Sequence, residues 1–338
     1  MARIIITLLF FVTLGITSLF IVASEGNLEK DQHFSTTQYD SKIKQFERSD
    51  TLSVVTFNIG YLSGMTNNLA VERVEELYHQ NLSVALKTLE SIEADMIGLQ
   101  EVDFGSQRSF MYNQLDSLAL QLDYPYAYRS VNWDKKFVPF PYWPLGHQFG
   151  KMLSGQAILS MFPVANAQTI TLIKPINTSF VYNAFYIDRL VQVCDLVLAP
   201  GDTIRVMNLH LEAFDKETRL AQAETVKQLF ESYSDQLPVL LIGDFNSQPE
   251  YLQADDAMNV IMSAKYIRSA VDSLTYESSP ASFNTFNSRE PYQMIDYILY
   301  NENFITSVGQ SVISETGEIS DHLPLLMKFV LRGENDEN

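Results

Sequence analysis

The sequence predicts an α/β fold built as one large domain with some antiparallel strand pairs. Strand-like apolar runs alternate with segments of helical periodicity, and one run rich in β-branched residues is too long to be an edge fragment. A chain of 338 residues with 46% hydrophobic and 12% aromatic residues can bury a sizeable core. No internal repeat and no proline/glycine-rich linker follows residue 51, so we expect a single domain over residues 51–332.

The amino-terminal segment carries an export signal. Arg3 precedes an uncharged apolar run over residues 4–23, which is about long enough to span a bilayer. Residues 1–24 are therefore predicted to be a signal peptide or membrane anchor, and the short basic start favours cleavage. In both cases the bulk of the chain is expected to be extracytoplasmic, that is secreted, periplasmic or membrane-anchored.

Polar segments flank the domain, and one long loop interrupts it. Residues 25–50 are polar with little periodicity and are predicted to be a flexible linker, and residues 333–338 are predicted to be an acidic tail. Residues 131–150 are the best candidate for a long loop, because three prolines lie among aromatic residues there. That loop either packs on itself or contacts a membrane or an apolar substrate.

Hydrophobic periodicity places the elements within the domain in order. Strands are predicted over apolar runs at residues 52–58, 95–100, 155–161, 184–199, 203–211, 237–243, 294–300 and 323–331. Helices are predicted over residues 68–92 and 108–122, and at a third segment where five apolar residues share one helical face: Leu220, Ala223, Val226, Phe230 and Tyr233.

Charge and cysteine content exclude several classes of function. The chain has 41 acidic and 23 basic residues and a formal charge of −18, which repels polyanions unless a local patch or a bound metal reverses the field. General nucleic-acid binding is therefore disfavoured. Cys194 is the only cysteine, so the chain has no internal disulfide and no multi-cysteine zinc site. Its apolar neighbours indicate a small buried side chain rather than a nucleophile.

Polar residues stand where the predicted strands end. Each has a plain structural explanation: Asp244 and Asn246 could cap a turn, Glu101 could be a surface carboxylate, and a single histidine is more often structural than catalytic. Charged groups at the mouth of a buried sheet, however, cost solvation energy unless they are paired or bind a metal. Independent turn residues have no reason to follow five separate strands, so together they indicate a ligand site: Asn58, Glu101, His210, Asp244 with Asn246, and Asp296.

These residues lie in motifs that resemble the endonuclease/exonuclease/phosphatase family over about residues 51–331. The ordered set is far more specific than any of its members: Thr56-Phe57-Asn58, Leu99-Gln100-Glu101, Asn208-Leu209-His210, Gly243-Asp244-Phe245-Asn246, Ile295-Asp296-Tyr297 and Ser320-Asp321-His322. The resemblance implies a four-layer α/β sandwich of two mixed β-sheets flanked by helices, with the active site at one end. It also implies hydrolysis of a phosphodiester or phosphomonoester with Mg²⁺ or Mn²⁺.

The resemblance, with the chemistry of the side chains, implies a role for each residue. Metal ligands would be Asn58, Glu101 and Asp321, whose hard oxygens suit Mg²⁺ or Mn²⁺, although Asn58 could instead orient Glu101. The catalytic group would comprise His210, Asp244, Asn246, Asp296 and His322, with Asp296 holding His322. The general base is left open between Asp244 and His322. Arg189, beside Asp188 in the strand predicted over residues 184–199, would bind the substrate phosphate or form a structural ion pair.

The resemblance implies a phosphate-ester substrate, and the sequence leaves its class open between a lipid headgroup, a nucleic acid and a small ester. Gly60 and Tyr61 follow Asn58-Ile59, where the abasic-site nuclease branch carries an acidic residue. A histidine at position 210 instead suits the sphingomyelinase-like, inositol-phosphatase-like and deadenylase-like branches. We therefore predict an exported metal-dependent phosphodiesterase, with a membrane lipid as a possible partner and no obligate protein partner. The alternative is a non-catalytic, membrane-tethered binding module on the same fold.

Overall fold

The predicted α/β architecture is confirmed: two mixed β-sheets pack face to face and helices flank them. The computed structural model describes residues 2–332 except 42, 48–49, 68, 177 and 253–255. The acidic tail predicted over residues 333–338 lies outside the described residues.

The first sheet has seven strands, in the order β1-β4-β5-β3-β2-β13-β12. Its strands are β1 (Phe34–Gln38), β2 (Leu52–Asn58), β3 (Met96–Asp103), β4 (Tyr126–Val138), β5 (Gly150–Ser160), β12 (Ile305–Val312) and β13 (Leu325–Leu331). β2 and β3 are parallel and the remaining neighbours are antiparallel.

The second sheet has six strands, in the order β10-β11-β9-β8-β7-β6. Its strands are β6 (Val164–Thr171), β7 (Leu190–Ala199), β8 (Asp202–His210), β9 (Val239–Asp244), β10 (Ile267–Ser269) and β11 (Asp296–Asn301). β8 and β9 are parallel and the other pairs antiparallel. Each sheet thus has one central parallel pair whose carboxyl ends meet at the same edge.

The described residues form seven α-helices. They are α1 (Ala2–Ser24), α2 (Glu75–Ile92), α3 (Gln114–Gln121), α4 (Phe180–Phe185), α5 (Lys216–Ser234), α6 (Ala257–Met262) and α7 (Ser273–Ser278). Asp215 begins α5 by accepting a hydrogen bond from the Thr218 amide at 2.8 Å, a typical N-cap.

Side chains along the central strands point alternately to the two faces of the sheet and so form two apolar layers. Val54 and Met96 face the second sheet, whereas Val55 and Ile97 face the layer beneath α2 and α3. The five-residue face predicted from the sequence lies on α5, and its Ala223, Val226 and Phe230 are fully buried. Burying a large apolar side chain contributes about 1.5–3 kcal/mol to the free energy of folding, so these layers provide most of the stabilisation of the fold.

A buried amide network joins the two sheets below the strand ends. The Asn208 side chain donates to the carbonyls of Leu99 and Ala157 at 3.1 and 3.2 Å and to Gln192 Oε1 at 2.8 Å, and it accepts from Gln100 Nε2 at 2.6 Å. These partners lie on β3, β5 and β7, so with Asn208 on β8 the network links four strands from both sheets. The network therefore fixes how the sheets register at the end that carries the conspicuous polar residues.

Replacing Asn208 with leucine is expected to lower the free energy of unfolding by about 3 kcal/mol, because the two carbonyls and two glutamines would remain buried without their partner. Urea denaturation of wild type and variant measures this directly. An unchanged unfolding midpoint would show that the network contributes nothing net to stability.

Several predicted boundaries are wrong, each for a local reason. Residues 34–38 of the predicted flexible linker form the edge strand β1, which pairs antiparallel with β4 and was hidden by its polar sequence. The predicted loop over 131–150 begins as strand, because β4 runs to Val138. The strand predicted over 184–199 begins only at Leu190, after α4.

The predicted helices are also shorter than their apolar periodicity suggested. The helix predicted over residues 68–92 begins at Glu75; residue 68 lies outside the described residues. The helix predicted over 108–122 begins at Gln114, where Asn113 caps it by accepting a hydrogen bond from the Asp116 amide at 3.2 Å. Capping side chains, rather than apolar periodicity, set this helix start.

The amino-terminal helix α1 is exposed along nearly all its length. Among the described residues it is the one helix long and apolar enough to cross a membrane, with a mean hydropathy of 2.6. Its composition fits the predicted signal peptide or anchor.

Candidate active site

Strand registry brings the polar strand ends together. His210 lies opposite Asp244 at the end of the parallel pair β8/β9, and Asp244 lies opposite Asp296 at the start of antiparallel β11. Asn58 ends β2, the parallel neighbour of β3, at the same edge of the other sheet. Because the sheets pack face to face, the two edges form one polar cluster at the end of the sandwich.

Asp244 is the centre of this cluster. Its Oδ2 accepts a hydrogen bond from Asn58 Nδ2 at 3.0 Å and lies 3.3 Å from His210 Nε2 and 3.6 Å from His322 Nε2. Its Oδ1 accepts from the Asn246 amide at 2.9 Å. Burial raises the pKa of Asp244 to about 7, although the nearby His322 opposes that rise. Asp244 is thus positioned and tuned to exchange a proton near neutral pH.

His322 is held by a carboxylate on its other ring nitrogen. His322 Nδ1 lies 2.8 Å from Asp296 Oδ2, which also accepts a hydrogen bond from Thr285 Oγ1 at 2.6 Å. Burial alone would lower the pKa of His322, but Asp296 and Asp244 outweigh it and raise that pKa well above its ordinary value. The Asp296 contact fixes the ring so that Nε2 faces Asp244.

The Asp296→Asn substitution is expected to lower the pKa of His322, because the desolvation penalty would then act without its main counterbalance. In the wild type His322 is protonated at low pH, and its pair with Asp296 then stabilises the fold. This stability is lost only as the pH rises through the raised pKa of His322. NMR titration of the imidazole nitrogens in metal-free protein measures the shift, with the other histidines as references. Titration of His322 at the same pH in both proteins would contradict this assignment.

His210 provides a neutral imidazole. Burial, reinforced by the positive charge of Arg189, lowers the pKa of His210 well below its ordinary value. Its Nδ1 is buried with no hydrogen-bond partner among the described residues, and lies 4.0 Å from Glu101 Oε1. A neutral ring has one N–H, and in the Nδ1–H tautomer the uncommitted nitrogen donates a hydrogen bond to an anionic ligand.

Glu101 occupies a strained position beside a second carboxylate. Its φ of 53° is left-handed, and the pairing of β3 with β5 shifts register between Leu99 and Val102. Such a conformation costs about 1–3 kcal/mol in a residue other than glycine and is typical of functional positions. Burial, followed by the charge of Asp321, raises the pKa of Glu101, while Asn67 Nδ2 donates to its Oε2 at 2.6 Å.

Arg189 points its cation at the same cluster. It lies directly before β7 and is 6% exposed, and its Nε has no hydrogen-bond partner among the described residues. The nearest carboxylate is Glu212, at 3.6 Å from Nε to Oε2, and Glu212 also accepts a hydrogen bond from Tyr186. The ion pair with Asp188 considered from the sequence is not formed, since Asp188 pairs with Lys174 at 2.6 Å.

A cavity of about 710 Å³ opens over these side chains. The polar cluster contributes seven of its lining residues: Glu101, Arg189, His210, Asp244, Asn246, Asp321 and His322. The remaining predicted residues reach the cluster through hydrogen bonds, Asn58 to Asp244 and Asp296 to His322. All nine sequence-predicted residues therefore lie at one end of the sandwich.

The polar cluster also contains residues that were not predicted from the sequence. Glu212 lies two residues beyond His210, so the strand-end pattern could have found it. Asn67 and Thr285 lie in irregular segments without a recognisable motif. The amide partner of Glu101 is Asn67, whereas Asn58 bonds Asp244, so the alternative that Asn58 orients Glu101 is not observed.

A family model described as "Endonuclease/Exonuclease/phosphatase family" matches residues 55–322, which is most of the chain. The chain belongs to this family. Its members are metal-dependent hydrolases of phosphoester bonds, and the chain has their phosphoesterase fold. A search of curated protein sequences found no match.

Solved structures support the same fold. An endonuclease/exonuclease/phosphatase from Beutenbergia cavernae aligns with a TM-score of 0.62 at 18% identity, covering 84% of this chain and 72% of that one. The human nocturnin catalytic domain with bound sulfate gives 0.57 at 17% identity, covering 88% and 98%. A mannosyl-6-phosphatase from Bacteroides thetaiotaomicron gives 0.57 at 16% identity, covering 82% and 99%. At these identities the likeness shows the fold alone.

The donor atoms in the site fit a divalent cation of the kind this family uses. Glu101 and Asp321 form one carboxylate pair, and Asp244, Asp296 and His322 form a second group whose ligand atoms lie within 4.8 Å of one another. Both sets are dominated by oxygen and neither includes a thiolate, a composition that hard cations favour. In the second set Asp296 Oδ1 is buried with no hydrogen-bond partner among the described residues.

Proposed function

We propose that the chain is an exported phosphodiesterase that hydrolyses a phosphate ester with Mg²⁺ or Mn²⁺. The observation that carries the proposal is the convergence on Asp244 Oδ2 of Asn58, His210 and His322, all within 3.0–3.6 Å. A buried carboxylate contacted by two imidazoles and an amide is costly to maintain for stability alone. A non-catalytic binding module would not need this arrangement, so the hypothesis of an enzyme is preferred.

The metal site is assigned to Glu101 and Asp321, with Asn58 beside them. Burial raises the pKa of Glu101 and repulsion from the Asp321 carboxylate adds to that rise, and a bound divalent cation would remove the repulsion. The alternative group is less suitable, because Asp296 and His322 already satisfy each other at 2.8 Å. When bound, the cation supplies Lewis-acid stabilisation of charge on the phosphoryl oxygens.

The polar residues around Asp244 activate water and hold the phosphoryl group. The oxygen of the attacking water forms a bond to phosphorus while the bond from phosphorus to the leaving alkoxide breaks. The water proton passes to the ionised carboxylate of Asp244 at Oδ2 or to the neutral form of His322 at Nε2, and the proton route stays open between these adjacent atoms. The leaving alkoxide takes a proton from solvent. His210 donates to a phosphoryl oxygen, and Asn246 orients the group beside it.

Arg189 binds the phosphate as a fixed cation. Its guanidinium is buried next to His210 and its Nε lacks a hydrogen-bond partner among the described residues, so it has donors available for a phosphoryl oxygen. Comparison of Arg189→Lys with wild type tests this role. Full activity in the lysine variant would exclude bidentate contact with the phosphate.

Export is proposed from α1. A basic residue at position 3 followed by an apolar helix supports an orientation with the amino terminus inside and the catalytic domain outside the cytoplasm. The charge of −18 makes bulk nucleic acid a poor substrate at such a site. A lipid headgroup or a small phosphate ester is thus the preferred substrate class.

A panel of phosphate esters tests the proposal. The full chain is assayed with an aryl phosphodiester, a glycerophosphodiester, a single-stranded oligonucleotide and a sugar phosphate, each with Mg²⁺, with Mn²⁺ and with chelator. We expect diester hydrolysis that chelator abolishes. Absence of turnover on every ester, or turnover that chelator leaves unchanged, would contradict the proposal.

A further inference from the structure

The last turn of α1 packs beside the mouth of the active-site cavity. The Phe20 ring lies 5.3 Å from the Phe180 ring and 5.5 Å from the Phe185 ring, centroid to centroid. Lys135 Nζ on β4 donates to the Ser24 carbonyl at 3.0 Å. Phe185 lines the cavity, so the apolar helix ends against its wall.

Large apolar side chains surround this mouth and point to solvent. We define the apolar rim as five residues, given with their exposed fractions: Tyr142 (74%), Trp143 (76%), Leu145 (64%), Phe180 (77%) and Phe214 (86%). Trp143 and Leu145 follow the cavity residue Tyr142 in the chain, and Phe180 precedes the cavity residues Val181 and Tyr182. Exposed apolar residues grouped around one opening mark an interaction surface, whereas isolated ones do not.

The apolar rim continues inwards as the wall of the cavity. Tyr142 and Phe214 belong to both, and Phe140, Phe149 and Phe185 extend the aromatic lining towards Glu101 and His322. The site therefore has a polar floor that holds the reacting groups and an apolar entrance. That combination suits an amphiphile whose phosphate ester is attached to an apolar chain.

The length of α1 indicates the level of Phe180, the residue of the apolar rim that contacts the helix. Its 23 residues rise roughly 35 Å at 1.5 Å per residue, close to the thickness of the bilayer hydrocarbon core. Phe20 lies about one turn before the end of the helix, so its contacts Phe180 and Phe185 stand within roughly 6 Å of that end. Tyrosine and tryptophan are enriched at this interfacial level.

We infer that the apolar rim docks on a phospholipid bilayer and that the cavity draws its phosphodiester from a lipid in that bilayer. The inference rests on the proposed phosphodiesterase function and names its substrate class. A net charge of −18 opposes approach to an anionic surface, and Lys136 near the rim is already paired with Glu25 at 2.6 Å. The partner is therefore a zwitterionic bilayer, held by apolar insertion.

Tryptophan fluorescence tests the docking. The chain has two tryptophans, and the exposed Trp143 lies in the apolar rim. The full chain is reconstituted into phosphatidylcholine vesicles whose acyl chains are brominated near the interface. We expect strong quenching in the wild type that is largely lost in Trp143→Phe, where only Trp133 emits. Equal quenching in both proteins, or none, would overturn the docking.

A matched pair of substrates tests the substrate class. Methyl p-nitrophenyl phosphate is soluble, and hexadecyl p-nitrophenyl phosphate carries the same reacting group into the vesicle. The double variant Trp143→Ser/Leu145→Ser, whose changed residues do not line the cavity, is expected to lose about tenfold or more activity on the hexadecyl ester and none on the methyl ester. Leu120→Ser is the control: it changes an apolar residue on α3 that is 58% exposed, close to the 64% of Leu145, and it should alter neither activity.

The outcomes separate the two proposals. If the wild type hydrolyses neither ester, the proposed function fails. If the wild type hydrolyses both but the double variant hydrolyses both as well as wild type does, only the membrane inference fails. Light scattering compares the mass of the double variant in detergent with that of the wild type. A different mass, together with no quenching of Trp143 in wild-type protein in vesicles, would show that the apolar rim joins copies of the chain. That result would also overturn the inference.

Discussion

Replacing Asp244 with asparagine is expected to lower kcat for phosphodiester hydrolysis about a thousandfold or more while the fold stays intact. The amide keeps the shape of the carboxylate and can still receive the Asn246 amide hydrogen bond. It cannot accept a proton at the oxygen that faces His210 and His322. The loss should appear in kcat, because that group acts during the chemical step.

Two comparisons make this experiment decisive. Asp123→Asn changes an exposed aspartate with a φ of 56°, a conformation that asparagine tolerates, and should leave kcat unchanged. His322→Ala should cost about as much as Asp244→Asn, and combining both should cost little more, since adjacent groups act as one unit. Additive losses, or near-normal activity in Asp244→Asn, would remove Asp244 from the proton route.

Replacing Glu101 with glutamine is expected to weaken metal activation and to lower activity at a fixed, low Mg²⁺ concentration about a hundredfold. Glutamine retains the acceptor that Asn67 bonds but loses the negative charge that would hold the cation against Asp321. Raising the Mg²⁺ or Mn²⁺ concentration should restore part of the activity. Metal titrations of initial rate, together with calorimetry of metal binding, measure both effects.

The chain provides a matched control for that substitution. Glu93 is an exposed glutamate with a φ of 50°, close to the 53° of Glu101, so Glu93→Gln makes the same chemical change in the same backbone conformation. It should leave the metal titration unchanged. Equal metal dependence in wild type and Glu101→Gln would show that the cation binds elsewhere, with the group formed by Asp244, Asp296 and His322 as the next candidate.

The sequence predicted the sheet core and the polar strand ends because both follow from short-range patterns. β2 is found over its predicted residues 52–58, and β9 ends at Asp244, next to the predicted end, since continuous apolar runs specify buried strands. Asn58, Glu101, His210 and Asp244 converge because the parallel strands present their carboxyl ends at one edge. Asp296 joins them because antiparallel β11 begins opposite Asp244, so strand ends and strand direction together assemble the centre of the site.

Elements specified by distant partners could not be read from the sequence. β1 has a polar sequence, and it forms because it pairs with the edge of β4. Asn67 reaches Glu101 from a loop, and the left-handed φ of Glu101 depends on a register shift against β5. The five residues of the apolar rim come from three separate segments, and no local window of sequence contains more than one of these segments.

A crystal of the full chain soaked with Mn²⁺ and phosphate tests the central claim most directly, since manganese is located by its anomalous scattering. The account predicts manganese between Glu101 and Asp321, with the phosphate against it and within hydrogen-bond distance of His210, Asn246 and Arg189. Manganese bound at another place, or a phosphate that avoids Asp244 and His322, would contradict it.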